Sequence, residues 1–201
     1  MPDLPRQDPT AALWERLQAA DPAEVAARAA VRWDPDGQAY HVPLVDLDIR
    51  VTPAERQVAG PDGFPGWEPM LSSIQYLLTA QDEPLAAEWV SPLSLPYGDL
   101  FFRGPHDLPS PGIEGAYGQD RDAFCRAAEA LGGEALDMGD AAFAFQVLPR
   151  IPIAVVLWLA DDEFPARAQF LFDGSACRQL PLDALWLLTK ILARRLVAAA
   201  A

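Results

Sequence analysis

The sequence predicts an α+β protein: an antiparallel sheet built from two β-meanders, each followed by a helix, with helices packed on the sheet. Three observations predict it. Acid-proline pairs mark helix starts near the N-terminus, two separate stretches alternate between apolar and polar residues across turn signals, and each of those stretches gives way to helical periodicity. A single domain over 1–201 follows, made of N-terminal helices (1–30), a first meander and helix (31–83), a long loop (92–118), and a helix, second meander and C-terminal helix (119–201).

Asp8-Pro9 and Asp21-Pro22 each place a capping carboxylate before a proline at the first helical position, where its missing N–H costs nothing. Helices are expected from about Pro9 to Ala20 and from Pro22 to Ala30. Glu24, three residues after Asp21, completes an acidic variant of the capping box. From Val31 the period becomes that of a strand: VRW, DPDG, QAYHVPL, VD and LDIRV read as a three-stranded meander to about Thr52, with Asp34-Pro35-Asp36-Gly37 as its first turn. The Gly- and Pro-rich GPDGFPGWEP is a loop, and in MLSSIQYLLTA the residues Leu71, Ile74, Leu77 and Leu78 share one helical face. That helix ends before Pro84.

From Pro92 to Gly118 prolines and glycines are scattered among aromatic residues, and no period emerges. A loop of this length inside a domain is usually functional, which makes it the best candidate binding loop. Asp120 to Leu131 is a helix stopped by Gly132-Gly133. AAFAFQVLP, RIPIAVVLWLA and ARAQFLFD then form the second meander. The final helix runs from Pro181 to about Val197, offering Leu182, Leu185, Trp186, Ile191 and Leu192 for burial, with Asp183 in its first turn and Arg194 and Arg195 near its end.

Composition narrows function mostly by exclusion. The net charge of -14 repels phosphate backbones and no basic cluster offsets it, so nucleic-acid binding is disfavoured. No stretch approaches the roughly 18 apolar residues of a membrane span, and the N-terminus lacks a basic segment followed by an apolar one, which predicts a cytoplasmic protein. Cys125 and Cys177 lie far apart without CxxC spacing, so no zinc site or disulfide framework is encoded. Nucleophile-elbow, phosphate-loop and dinucleotide fingerprints are absent from the sequence. Lys190, the sole lysine, sits on the final helix, which disfavours a Schiff base.

The candidate site residues are therefore few. His41 alternates with its neighbours on a strand, whereas His106 lies in the long loop between Arg103 and Asp107, within reach of a ligand. Trp67, in GFPGWEP, joins Phe64, Tyr97, Phe101 and Phe102 as aromatic residues able to line an apolar pocket for a flat ligand. Asp161, Asp162, Glu163 and Asp173 could serve as paired carboxylates. The first three equally fit a hairpin turn between strands, and Asp173 fits a turn through Gly174.

The segment from Leu148 to Ala176, LPRIPIAVVLWLADDEFPARAQFLFDGSA, together with SIQYLL and the ALGG that follows a helix, resembles the domain of unknown function 3786 family of bacteria and archaea. Its core is Pro149-Arg150-Ile151-Pro152, Trp158, Asp161 to Pro165 and Leu171-Phe172-Asp173. The family is itself uncharacterised, so what the resemblance implies is context. Some relatives carry an iron-sulfur domain of the kind seen in corrinoid iron-sulfur proteins of anaerobic one-carbon metabolism. Two cysteines cannot hold a four-cysteine cluster. The resemblance thus implies an iron-sulfur or corrinoid protein partner, or a bound tetrapyrrole (corrinoid or haem) with His106 or His41 as axial ligand among Trp67, Tyr97, Phe101, Phe102 and Arg103. A non-catalytic ligand-binding or accessory protein in anaerobic metal-cofactor metabolism is the first expectation. A carboxylate-dependent enzyme and a protein-interaction module are the alternatives.

Overall fold

The computed structural model describes residues 10–61, 66–103 and 105–200. Helix α1 (Ala11–Ala19) buries Trp14 and Leu17, while its expected cap at Asp8 lies outside the described residues. Helix α2 (Pro22–Ala29) begins as its sequence dictates: the Asp21 carboxylate accepts the Glu24 N–H at 2.9 Å, with proline in the first turn. It ends at Ala30 in a left-handed conformation (φ 53°).

The first meander gains a strand. β1 (Arg32–Asp34), β2 (Ala39–Leu44), β3 (Leu47–Thr52) and β4 (Gln57–Ala59) form an antiparallel sheet in sequence order. Three residues are too few to show a period, which is why β4 does not stand out in the sequence. Helix α3 (Trp67–Thr79) starts earlier than its apolar face suggests, taking in Trp67, Glu68 and Pro69.

The second sheet is separate, with order β5-β9-β8-β7-β6 and antiparallel pairing throughout. Its centre is the expected meander: β7 (Ala141–Leu148), β8 (Ile151–Trp158) and β9 (Arg167–Asp173). Two short edge strands, β5 (Trp89–Val90) and β6 (Glu134–Leu136), widen it. Phe143, Phe145, Ile153, Val155, Phe170 and Phe172 are buried in one core cluster that also takes Val42, Ile49 and Val51 from the first sheet. The sheets meet where the Val45 N–H bonds the Val147 carbonyl at 2.9 Å.

The segment from Pro92 to Gly118 is structured rather than a long loop. It holds a 3₁₀ turn (Pro92–Ser94), helix α4 (Gly98–Phe102) and helix α5 (Ser110–Tyr117). Glycine and proline are poor helix formers, and they hid these helices from a reading based on propensity. Burial of Ile113 and Tyr117, whose hydroxyl bonds the Leu196 carbonyl, secures α5 instead. Helix α6 (Arg121–Ala130) is capped by Asp120, and a short α7 (Ala176–Gln179) precedes α8 (Leu182–Ala198). The helices that follow the two meanders, α3 and α8, pack against each other.

Two family-pattern residues turn out to be clamps. The Arg150 guanidinium donates to the Arg28 carbonyl at 2.7 Å and to Asp82 at 2.5 Å, tying the β7–β8 turn to the ends of α2 and α3. Asp173, 3% exposed, accepts from Ala86 N (2.9 Å), Ala87 N (2.8 Å), Ser175 N (2.9 Å) and Ser175 Oγ (2.5 Å). Burial opposes its ionisation, but these donors outweigh it and hold the carboxyl below the usual range.

Candidate functional site

The pocket beside His106 is built on α4. Gly98 begins that helix directly under the Pro92 carbonyl, where a Cβ would come within 2.0 Å of the oxygen, so only glycine allows α4 to close onto the 3₁₀ turn. Tyr97, at the helix entry, takes a left-handed conformation (φ 62°), and its side chain projects into solvent at 80% exposure. Leu100 is 77% exposed, while Phe102 turns into the core. Phe101 lies between them and stacks on the His106 imidazole, with ring centroids 3.9 Å apart and planes 11° apart.

Helix α8 supplies the rear wall. Trp186 meets His106 edge-on at 5.1 Å, and its indole N–H donates to the Asp107 carbonyl at 2.9 Å, fastening the segment after α4 to the helix. His106 Nδ1 lies 3.3 Å from the Phe101 carbonyl. Because a carbonyl only accepts, that contact needs a proton on Nδ1, which in the neutral ring leaves Nε2 as the lone-pair nitrogen. Tyr97, Leu100, Phe101, Pro105, His106 and Leu182 line an open cavity of about 340 Å³. Its walls are apolar, and His106 is the one imidazole among its lining residues.

The structure brings His106, Tyr97 and Phe101 together and disperses the other sequence candidates. His41, on β2, pairs with Asp48 of β3 at 2.9 Å and does not line this cavity. Trp67, 56% exposed, opens α3 and is likewise not a lining residue. Phe102 is a core residue, Arg103 caps α4 in solvent, and Phe64 lies outside the described residues. Leu100, Pro105 and Leu182 were missed as site residues. Leu100 and Pro105 lay in the stretch read as a loop, and nothing local marks Leu182 as facing a pocket and not the core.

The carboxylates do not converge. Asp161 Oδ1 accepts the Glu163 and Phe164 N–H groups at 2.8 and 2.7 Å, and Asp161 N donates to the Phe164 carbonyl at 3.0 Å. This closes an exposed turn between β8 and β9. The Phe164 N–H, then that of Glu163, holds the Asp161 carboxyl below its usual range. Asp173 stands at the other end of β9, roughly 20 Å away for seven residues of strand. Its oxygens are occupied by the donors described above. Lys190 is paired with Glu68 at 3.1 Å, and burial pushes the Cys177 thiol up, away from the reactive thiolate. Among the described residues no group of three or more His, Cys, Asp or Glu is placed to hold a metal ion, and no helix is long and apolar enough to cross a membrane.

Fold and site together define an α+β protein with an apolar surface pocket carrying a single oriented imidazole. The chain belongs to the family described as Domain of unknown function (DUF3786), which matches residues 21–195. No curated protein and no solved structure matches it.

Proposed function

We propose that this chain is a non-catalytic ligand-binding or accessory protein whose pocket beside His106 takes a flat apolar ligand. A tetrapyrrole, haem or corrinoid, is the class that suits it. The observation that carries this reading is the fixed imidazole: His106 is stacked on Phe101, and its Nδ1 proton is directed to a backbone carbonyl. Histidines that ligate metals nearly always donate their other ring N–H in this way, which fixes the tautomer and the ring direction. A tetrapyrrole's central metal would take His106 Nε2, and Tyr97 and Leu100 would lie against the macrocycle. At about 340 Å³ the cavity is near the small end of the roughly 300–1,000 Å³ typical of ligand pockets. It accommodates one edge of a macrocycle and leaves the remainder for solvent or for an iron-sulfur or corrinoid protein partner. The family resemblance supplies the wider context of anaerobic metal-cofactor metabolism.

Titration of the full chain with haemin and with cobalamin, followed by visible absorbance, tests the reading. Saturable spectral shifts that are lost in His106→Ala and retained in His41→Ala are expected. Flat titrations with both, or an unchanged response of His106→Ala, would overturn it. A protein-interaction module is the second reading, favoured by the 80% and 77% exposure of Tyr97 and Leu100 side by side at one helix start. Under it, both titrations stay flat, and Tyr97→Ser with Leu100→Ser abolishes co-purification of a partner from the native host.

A further inference from the structure

A second groove lies on the other side of the segment that carries His106. The C-terminal half of α8 forms one wall through Ala193 and Val197, and the start of α5 forms the other through Leu108, Pro109 and Pro111. The space amounts to about 600 Å³ and is lined almost wholly by carbon, with Lys190 and Arg194 as the charged members of its lining. On α8 these cations stand four residues apart, and so do Ala193 and Val197. The helix therefore presents an apolar row and a cationic row side by side.

The two cations share one carboxylate. Lys190 Nζ lies 3.1 Å from Glu68 Oε1, and Arg194 Nη2 lies 2.6 Å from Glu68 Oε2. Among the described residues, two positive charges against one negative leave a surplus of one at the mouth of the groove, on a chain whose net charge is -14. Neither donor set is exhausted. Among the described residues Arg194 directs one of its N–H groups to Glu68, and its side chain is half-exposed; a guanidinium carries five such donors in a fork that matches a carboxylate. Lys190 is also held over the Trp186 ring at 4.6 Å, which fixes its direction.

The geometry points to a binding site for a free medium-chain monocarboxylate, with its tail along α8 and its head group on Arg194 and Lys190. The occupant follows from charge complementarity. An uncharged alkyl ligand would leave the surplus charge unanswered, and a polyanion would meet Glu68 and the field of a chain whose net charge is -14. The length agrees, because from midway between Lys190 and Arg194 to Ala198 is roughly 9 Å at 1.5 Å per helical residue, the reach of a medium alkyl chain. This site goes beyond the tetrapyrrole reading and shares none of the residues that line the His106 cavity.

Isothermal titration of the full-length chain with hexanoate, octanoate, decanoate and decanol tests it. Each added methylene is expected to tighten binding by up to about fourfold, the factor for full burial of one CH₂. Decanol should bind about tenfold more weakly than decanoate. Lys190→Gln with Arg194→Gln should lower decanoate affinity to the level of decanol, whereas Glu68→Gln, which frees both cations, should raise it. His106→Ala should leave decanoate affinity unchanged, so failure here and failure of the tetrapyrrole reading are distinguishable. The proposal is overturned by no decanoate binding below about 1 mM, by equal affinity for decanol, or by affinity independent of chain length. The wild-type series alone decides the matter if the variants do not fold.

Discussion

Replacing Asp173 by asparagine separates a structural acid from a catalytic one. The carboxylate sits 3% exposed at the end of β9, with three donors on Oδ1 (Ala86 N, Ser175 N and Ser175 Oγ) and one, Ala87 N, on Oδ2 at 2.8 Å. Asparagine can keep Oδ1 as an acceptor, but its amide then faces the Ala87 N–H with another donor. Losing that charge-assisted bond costs about 1.5–3 kcal/mol. The three bonds on Oδ1 weaken to neutral strength, while removal of a buried charge offsets part of the loss. The net expectation is a destabilisation of about 2–4 kcal/mol, read as a urea midpoint lower by roughly 1–2 M. The effect depends on pH in a defined direction. The folded carboxyl titrates below its ordinary value of 3.8, so its contribution is complete above that value and is lost as pH falls through the folded one. The difference between wild type and Asp173→Asn should therefore be constant from about pH 5 to 8 and narrow below about pH 4. A variant within about 0.5 kcal/mol of wild type at neutral pH would refute the clamp and return Asp173 to the pool of chemically active acids.

Two tyrosines give opposite results for one chemical change. The Tyr76 hydroxyl donates to the Ala29 carbonyl at 2.8 Å, so Tyr76→Phe should cost about 1–2 kcal/mol in urea unfolding. The Tyr40 hydroxyl is buried with no hydrogen-bond partner among the described residues, so Tyr40→Phe should be neutral or stabilising by about 1 kcal/mol. Burial pushes the Tyr40 phenol up to about 12, so wild type loses stability as pH rises from 10 to 12, where only the unfolded chain ionises. Tyr40→Phe lacks that contribution, and its advantage should widen over the same interval. Gly98→Ala forces a methyl group toward the Pro92 carbonyl. It should cost about 1–3 kcal/mol, seen as a lower melting temperature, and under the proposed tetrapyrrole reading it should also weaken haemin binding by displacing Tyr97 and Phe101. Wild-type stability in this variant would show that the close approach does not position α4.

Much of the fold is legible in the residues, and the exceptions share a cause. The central strands β7, β8 and β9 are long enough to show their patterning, and Asp21 caps its helix through bonds that span three residues. Strands β4, β5 and β6 are two or three residues long and form because a longer neighbour offers them hydrogen-bonding groups. Nothing in Gln57–Ala59 or Trp89–Val90 taken alone specifies a strand. Helices α4 and α5 escape notice for the converse reason, since their glycines and prolines argue against helix and burial of Phe102, Ile113 and Tyr117 overrides that preference.

The site divides along the same line. His106, Tyr97 and Phe101 stand close in sequence, so an aromatic segment with one histidine could be singled out. The features that make it a pocket are Leu182 and Trp186 on α8, nearly 80 residues further on. By itself the sequence determined which faces are apolar, that Asp21 and Asp120 cap helices, and that nucleophile-elbow, phosphate-loop and dinucleotide fingerprints are absent from these residues. Only the tertiary structure decided that His41 and His106 serve different surfaces, that Asp161 and Asp173 occupy opposite ends of one strand, and that Lys190 and Arg194 share Glu68 beside an apolar groove. Side-chain periodicity states which face must leave water, but the partner that covers it, and hence the residues that meet, is set by packing between segments distant in the chain.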